Sequence, residues 1–157
     1  MVNSTLFDNP KFLSSIVREF GSQSVITSID VRVMGADYNI YQACGKIKVQ
    51  HTLDHWCEYL NSTGIGEVIV NNIDRCGTLN GFDLELLLYI EDRLNVNIVA
   101  GCGAGSKEDL LKLFSQVNVN AACIGSLFHF TQETPNTLRE YLRQNDINTR
   151  EVIQALF

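Results

Sequence analysis

Apolar positions along the chain fall into four short runs rich in β-branched residues, separated by stretches with helical spacing. The runs cover residues 24–29, 67–70, 97–100 and 121–124. Their length and composition are typical of buried strands. Because strands that alternate with helices return through a crossover, they pair in parallel. The pattern therefore predicts an α/β fold built from four parallel βα units.

The stretches between these runs predict helices with recognisable start and stop signals. The first begins at Asn9-Pro10 and ends before Gly21, because proline suits a first turn and glycine suits a C-terminal cap. A capping box at 106–109 opens another. The remaining predicted helices cover about 53–61, 83–94, 135 onward and 148–155.

Residues 31–50 break the alternation of strand and helix. Tyr38, Ile40 and Tyr41 lie between turn signals at Gly35 and Gly45. We interpret this segment as a β-hairpin inserted after the first strand.

Length and composition indicate one ordinary globular domain, residues 1–157, with 45% apolar residues and a net charge of −6. The negative charge argues against nucleic acid or an anionic membrane as a partner. No apolar run reaches the roughly 20 residues that span a bilayer. Five cysteines without a C-x-x-C pair predict reduced thiols and a cytoplasmic location. His51 and His55 lack an evident third ligand, so we expect no metal and no cofactor.

Two of the strand ends present a carboxylate, Asp30 and Asp74. Function in parallel α/β folds collects at the carboxyl ends of strands, where an aspartate serves as a general acid or base. The alternative role is structural, because such a carboxylate also orders the following loop by accepting N–H groups.

The other two strand ends carry small residues, at 101–106 and at Gly125-Ser126. Small residues let a phosphate approach backbone N–H groups, and a following helix favours its charge. A tight turn without a ligand is the alternative at each junction. Two such junctions on neighbouring strands favour a phosphate site.

Four motifs occur together in the chain, Ser28-Ile29-Asp30, Ile73-Asp74-Arg75-x-Gly77-Thr78, Gly103-Ala104-Gly105 and Ser126-x-Phe128-His129-Phe130. They resemble the motifs of one family, the cyclase subunit of imidazole glycerol phosphate synthase. The resemblance is in order, covers essentially the whole chain and corresponds to strands five to eight of that family's (β/α)8 barrel. It implies that this chain is the C-terminal half of a TIM barrel.

The resemblance also implies an activity, partners and site residues. The family uses ammonia from a glutaminase subunit to convert a doubly phosphorylated ribotide into imidazole glycerol phosphate and a second ribotide, in histidine biosynthesis. Asp30 matches its catalytic acid/base, and Glu67 matches a residue that gates ammonia entry. Positions matching one substrate phosphate site are Gly77, Gly103, Gly125 and Ser126, while Asn3 matches a position near the other phosphate.

Departures from the family pattern leave other functions open. Cys76 replaces an aspartate beside the phosphate, Cys102 replaces a glycine, and residues 48–50 replace an Asn-Thr-Gly stretch. A paralogue that supplies ammonia for amidation of surface sugars shares the run at 104–109. A further alternative is a phosphate-binding half-barrel without catalysis. An isolated four-stranded parallel sheet has open edges, so we expect either a missing N-terminal half-barrel or self-association.

Overall fold

A computed structural model describes residues 1–150, which form one six-stranded sheet with helices against it. The strand order is β3-β2-β1-β4-β5-β6. The strands are β1 (Ile26–Met34), β2 (Asp37–Gln42), β3 (Ile47–Lys48), β4 (Glu67–Asn72), β5 (Asn97–Gly101) and β6 (Ala121–Cys123). The helices are α1 (Ser4–Asp8), α2 (Pro10–Phe20), α3 (Leu53–Thr63), α4 (Leu84–Glu91), α5 (Lys107–Gln116), α6 (Ser126–Phe130) and α7 (Pro135–Gln144).

Parallel pairing links β1, β4, β5 and β6 in chain order. Helices separate these strands in sequence, as crossover connections require. The expected α/β fold is confirmed, and the mostly parallel sheet is consistent with part of a TIM barrel. No helix within residues 1–150 is both long enough and apolar enough to cross a membrane.

Strand β1 extends five residues beyond the predicted run, to Met34. Its second half pairs in antiparallel fashion with β2, from Asp30 opposite Tyr41 to Met34 opposite Asp37. This additional ladder continues β1 through residues 31–34, which the sequence pattern had assigned to a separate segment after the first strand. Asp30 consequently lies inside a strand, with β4 on one side and β2 on the other.

Most helices lie close to the predicted segments. Helix α2 ends at Gly21, whose φ of 83° is a conformation that glycine adopts easily. The five-residue helices α1 and α6 were missed, because one turn is too short to show a periodic apolar stripe. The predicted helix at 148–155 falls mainly outside the described residues, and 148–150 are not helical.

The two faces of the sheet differ in burial. In β4 the even-numbered residues Val68, Val70 and Asn72 are buried, whereas the odd-numbered ones are half-buried. The buried face packs on apolar helix residues that are almost fully covered, such as Leu13, Leu60, Leu86, Ile90 and Leu113. The other face carries Asp30 and Asn71, so polar side chains collect on the less covered side.

Candidate functional site

Asp30 is held between two side-chain amides on the less covered face of the sheet. Asn71, its register partner on β4, donates from Nδ2 to Oδ1 of Asp30 at 2.9 Å. Asn3 donates from Nδ2 to Oδ2 of Asp30 at 3.3 Å and to Oγ of Ser28 at 2.7 Å. Each carboxylate oxygen thus has its own donor, and the two hydrogen bonds fix the plane of the carboxylate. Asp30 itself is half-buried.

Gly101 at the end of β5 and Cys102 directly after it fix the orientation of Asn71. Its Oδ1 lies 3.9 Å from Sγ of Cys102, within reach of a weak thiol hydrogen bond. A Cβ at Gly101 would fall only 2.0 Å from the same oxygen, so glycine makes the room that Asn71 needs. The contacts connect Cys102, Asn71 and Asp30 across three adjacent strands.

Four of the five predicted phosphate positions line one cavity of about 170 Å³ at the carboxyl ends of β4, β5 and β6. Gly77, Gly103, Gly125 and Ser126 are all part of its wall, and Asn71 connects it to the Asp30 cluster. The remaining lining residues are Cys76, Leu79, Cys102, Ala104, Cys123 and Ile124. The structure therefore brings these residues, distant in sequence, to one place.

Close backbone packing explains one of these glycines, and open space surrounds another. At Gly103, with φ of 103°, a Cβ would lie 2.2 Å from the carbonyl oxygen of Gly81. At Gly125, where φ is −131°, a Cβ would meet no atom within 4 Å. Gly103 is thus required by the fold whether or not a ligand binds. Gly125 is not, and its open surroundings provide space for one.

The start of α5 is already occupied by a side chain of the protein. Oδ2 of Asp109 accepts the N–H groups of Gly105 at 3.1 Å and Ser106 at 3.0 Å. Oγ of Ser106 in turn accepts the N–H group of Asp109. An anion in the cavity must therefore use donors other than these two N–H groups.

Asp74 lies in the loop after β4, where it orders the chain. Its Oδ1 forms a 2.8 Å ion pair with Nε of Arg32, and its N–H group donates to Oδ1 of Asn72 at 2.9 Å. Arg75 continues the same role, because its guanidinium donates to the carbonyl oxygens of Asn80, Gly81 and Phe82. These contacts favour the structural alternative for Asp74.

Asn3 and Glu67 lie away from the glycine-lined cavity. Asn3 belongs to the Asp30 cluster, and Glu67 is the first residue of β4, at the opposite end of the sheet. The imidazole rings of His51 and His55 stack with centroids 4.3 Å apart on the surface. Within residues 1–150 no group of three or more potential metal ligands occurs.

Asn71 is the site residue that sequence reasoning missed. A polar residue directly after the buried run ending at Val70 was the available signal. Its importance depends on the register that places it opposite Asp30, and register is a property of the folded sheet.

These features define an α/β protein with a positioned carboxylate and a glycine-lined cavity at the carboxyl ends of parallel strands. The model of the histidine biosynthesis protein family matches residues 1–134, and the chain belongs to that family.

Curated relatives are similar over nearly the whole chain. Imidazole glycerol phosphate synthase subunit HisF from Prosthecochloris aestuarii is 34% identical over 149 residues, which covers 95% of this chain and 59% of that subunit. The subunit of the same name from Lachnoclostridium phytofermentans is 33% identical over 151 residues, covering 95% and 58%. The chain thus spans less than two thirds of the length of these relatives.

Proposed function

We propose that the chain is the C-terminal part of an imidazole glycerol phosphate synthase cyclase subunit, which performs ammonia-dependent ring closure in histidine biosynthesis. The observation that carries this proposal is the Asn71 side chain, which contacts Asp30 and also lines the glycine-lined cavity. A carboxylate and an anion-sized cavity on one sheet edge suit chemistry on a phosphorylated substrate. The names of the relatives supply the particular reaction class.

We propose further that the sheet is half of an eight-stranded barrel, with four parallel βα units and a hairpin after the first strand. Within residues 1–150, β6 has only β5 as a hydrogen-bonded strand. On the outer side of β1, Val2 forms a parallel bridge with Thr27, where another parallel strand would lie. Four more units would pair both edges and cover the face that carries Asp30.

In this function Asp30 is the general acid/base that moves a proton to or from the reacting ring. The two amide donors hold its carboxylate in one plane, so a bound substrate meets a fixed proton acceptor. Gly77, Gly103, Gly125 and Ser126 hold one substrate phosphate through the cavity wall, and Asn3 lies toward the second phosphate. Glu67, at the opposite end of the sheet, gates ammonia delivered by a glutaminase partner in the cytoplasm.

A second candidate is phosphate binding without catalysis. The thiols of Cys76 and Cys102 line the cavity, and a cysteine sulfur is a weaker hydrogen-bond acceptor than the carboxylate that the family pattern has at position 76. The protein would then bind sugar phosphates and associate with itself. Supply of ammonia for surface-sugar amidation is a third candidate, supported by the run at 104–109.

Complementation tests the first proposal. The chain is mixed with an N-terminal half-barrel made from the Prosthecochloris aestuarii relative, and the mixture is assayed for complex formation and ammonia-dependent turnover of the ribotide substrate. We expect a one-to-one complex that converts the ribotide substrate in the presence of ammonia. Phosphate binding without turnover supports the second candidate. Failure to associate with the added half contradicts the half-barrel proposal.

A further inference from the structure

Three thiols surround the glycine-lined cavity. Cys76 lies in the loop after β4, Cys102 follows β5, and Cys123 is the last residue of β6. Cys76 and Cys123 are exposed, whereas Cys102 is half-buried. Three cysteines on the wall of one small cavity are unusual for a site that binds an anion, because thiols are weak donors.

Cys102 is held in a backbone conformation that directs it into this cluster. Cys102 lies between Gly101 and Gly103, and its own φ is 65°, a value that residues with a Cβ rarely adopt. Burial raises the pKa of the Cys102 thiol to about 12, and the nearby Cys76 thiol contributes to this increase. Cys102 is thus less accessible to small oxidants than the exposed Cys76.

We propose that Cys76 and Cys102 form a peroxide-sensitive thiol pair, a modification site within the cavity. Peroxide oxidises the Cys76 thiol to a sulfenic acid and is itself reduced to water. The Cys102 sulfur then attacks the sulfenic sulfur, a disulfide forms, and the sulfenic oxygen leaves as a second water with the Cys102 proton. Two thiols and one peroxide thus give one disulfide and two waters.

The backbone of the loop that carries Cys76 is weakly held at this residue. Its backbone N–H group makes only a long 3.4 Å hydrogen bond to the carbonyl of Ile73. Gly77, with φ of 77°, follows directly and provides freedom for a local shift. The disulfide would fasten the loop to the end of β5, reduce the cavity and remove the thiol donor next to Oδ1 of Asn71.

Peptide mapping tests the modification site directly. The reduced full-length chain is treated with hydrogen peroxide, digested without reductant and analysed by mass spectrometry. We expect a Cys76–Cys102 crosslink that dithiothreitol reverses and that is lost in both Cys76→Ser and Cys102→Ser. Cys44→Ser removes an exposed thiol outside the cavity and should leave the crosslink unchanged.

Other oxidation products overturn the proposal. These are a disulfide that includes Cys123, disulfides between chains only, irreversible oxidation of Cys76 alone, or no reaction. Circular dichroism confirms that each serine variant is folded, so that loss of the crosslink reflects loss of the thiol.

The effect on ligand binding rests on the proposed phosphate site and is measured separately. Calorimetry with inorganic phosphate compares the reduced chain with the crosslinked chain, and we expect affinity to fall by about tenfold or more. Unchanged phosphate affinity in the crosslinked chain would contradict the inference that the disulfide reduces the cavity. If the reduced chain does not bind phosphate, the proposed phosphate site fails, whereas the thiol pair is still decided by peptide mapping.

Discussion

Nδ2 of Asn71 donates a 2.9 Å hydrogen bond to Oδ1 of Asp30 across the parallel pair β1–β4. The same amide presents its oxygen to Cys102, which directly follows β5. One side chain therefore connects the proposed acid/base to the wall of the proposed phosphate cavity. We therefore regard Asn71 as a residue that positions the Asp30 carboxylate. Replacing Asn71 disturbs the orientation of this carboxylate while the carboxylate itself remains.

Asn71→Ala should lower turnover of the complemented barrel by roughly tenfold to a hundredfold, because the Asp30 carboxylate loses one of its two amide donors. Stability should fall by about 1 kcal/mol, the size of one partly exposed hydrogen bond. Steady-state kinetics and urea unfolding measure the two effects. Asn118→Ala, a change at an exposed position, is the control and should alter neither. Unchanged turnover in Asn71→Ala would show that it does not position Asp30.

Gly103→Ala and Gly125→Ala should differ sharply in stability. The first places a Cβ 2.2 Å from the Gly81 carbonyl oxygen at a positive φ and should cost about 1–3 kcal/mol of unfolding free energy. The second meets no atom within 4 Å and should change stability by less than about 0.5 kcal/mol. Urea unfolding of both variants checks this. Equal losses would contradict the close approach of the two loops.

Phosphate affinity provides a second comparison for the same pair. Gly125→Ala adds a methyl group to the cavity wall without disturbing the fold, so calorimetry with inorganic phosphate should show weaker binding. Wild-type affinity in this variant would argue against Gly125 as part of the phosphate site.

These differences show which parts of the molecule the sequence could predict. The parallel strands around Val68 and Ile98 were predictable because local apolar runs determine them. The position of Asp30 inside β1 was not, since it depends on antiparallel pairing with β2, whose register is set by tertiary structure. The need for glycine at 103 was equally hidden, because it arises from the backbone of Gly81, 22 positions away in the sequence.

The candidate site shows the same division. Motif resemblance identified Gly77, Gly103, Gly125 and Ser126 together, and the structure places all of them on one cavity. It could not identify Asn71, whose contacts reach Asp30 on β1 and Cys102 directly after β5. The predicted capping box at 106–109 did identify Asp109, which accepts N–H groups at the start of α5. A single sequence does not show which side chains contact each other across neighbouring strands.

Acid should weaken a surface cluster that joins α3 to α4. Oδ1 of Asp54 accepts hydrogen bonds from Tyr89 and Arg93, both at 2.7 Å, and the Tyr89 hydrogen bond together with the Arg93 charge lowers the pKa of Asp54. A lowered folded-state pKa contributes stability above the unfolded value of 3.8, and this is lost as pH falls through the folded value. The effect should be small, because the Asp54 side chain is 52% exposed.

Urea midpoints measured at neutral pH and at pH values below 3.8 test this dependence. Asp54→Asn should be less stable than the wild type at neutral pH and should lose less stability on acidification. Asp92→Asn, at an exposed position on the same surface, should behave as the wild type. An identical pH profile for Asp54→Asn and the wild type would contradict the assignment.

Asp74→Asn should have a modest effect on stability. Its ion pair with Arg32 is substantially exposed, so unfolding free energy should fall by at most about 1 kcal/mol. Because the observed contacts of Asp74 are with Arg32 and Asn72 in ordering the loop, we expect turnover to fall far less than in Asp30→Asn. Kinetics of both variants in the complemented barrel make the comparison, and equal losses would assign Asp74 a direct catalytic role.

Turnover of Asp30→Asn in the complemented barrel tests the central claim most directly. Asparagine keeps the shape of the side chain and removes its ability to accept and return a proton. We expect ammonia-dependent turnover to fall by about 10²–10⁴-fold while the two halves still associate, with Asp92→Asn as the matched control at the wild-type rate. Turnover of Asp30→Asn within a few-fold of the wild type would contradict the assignment of Asp30 as the acid/base.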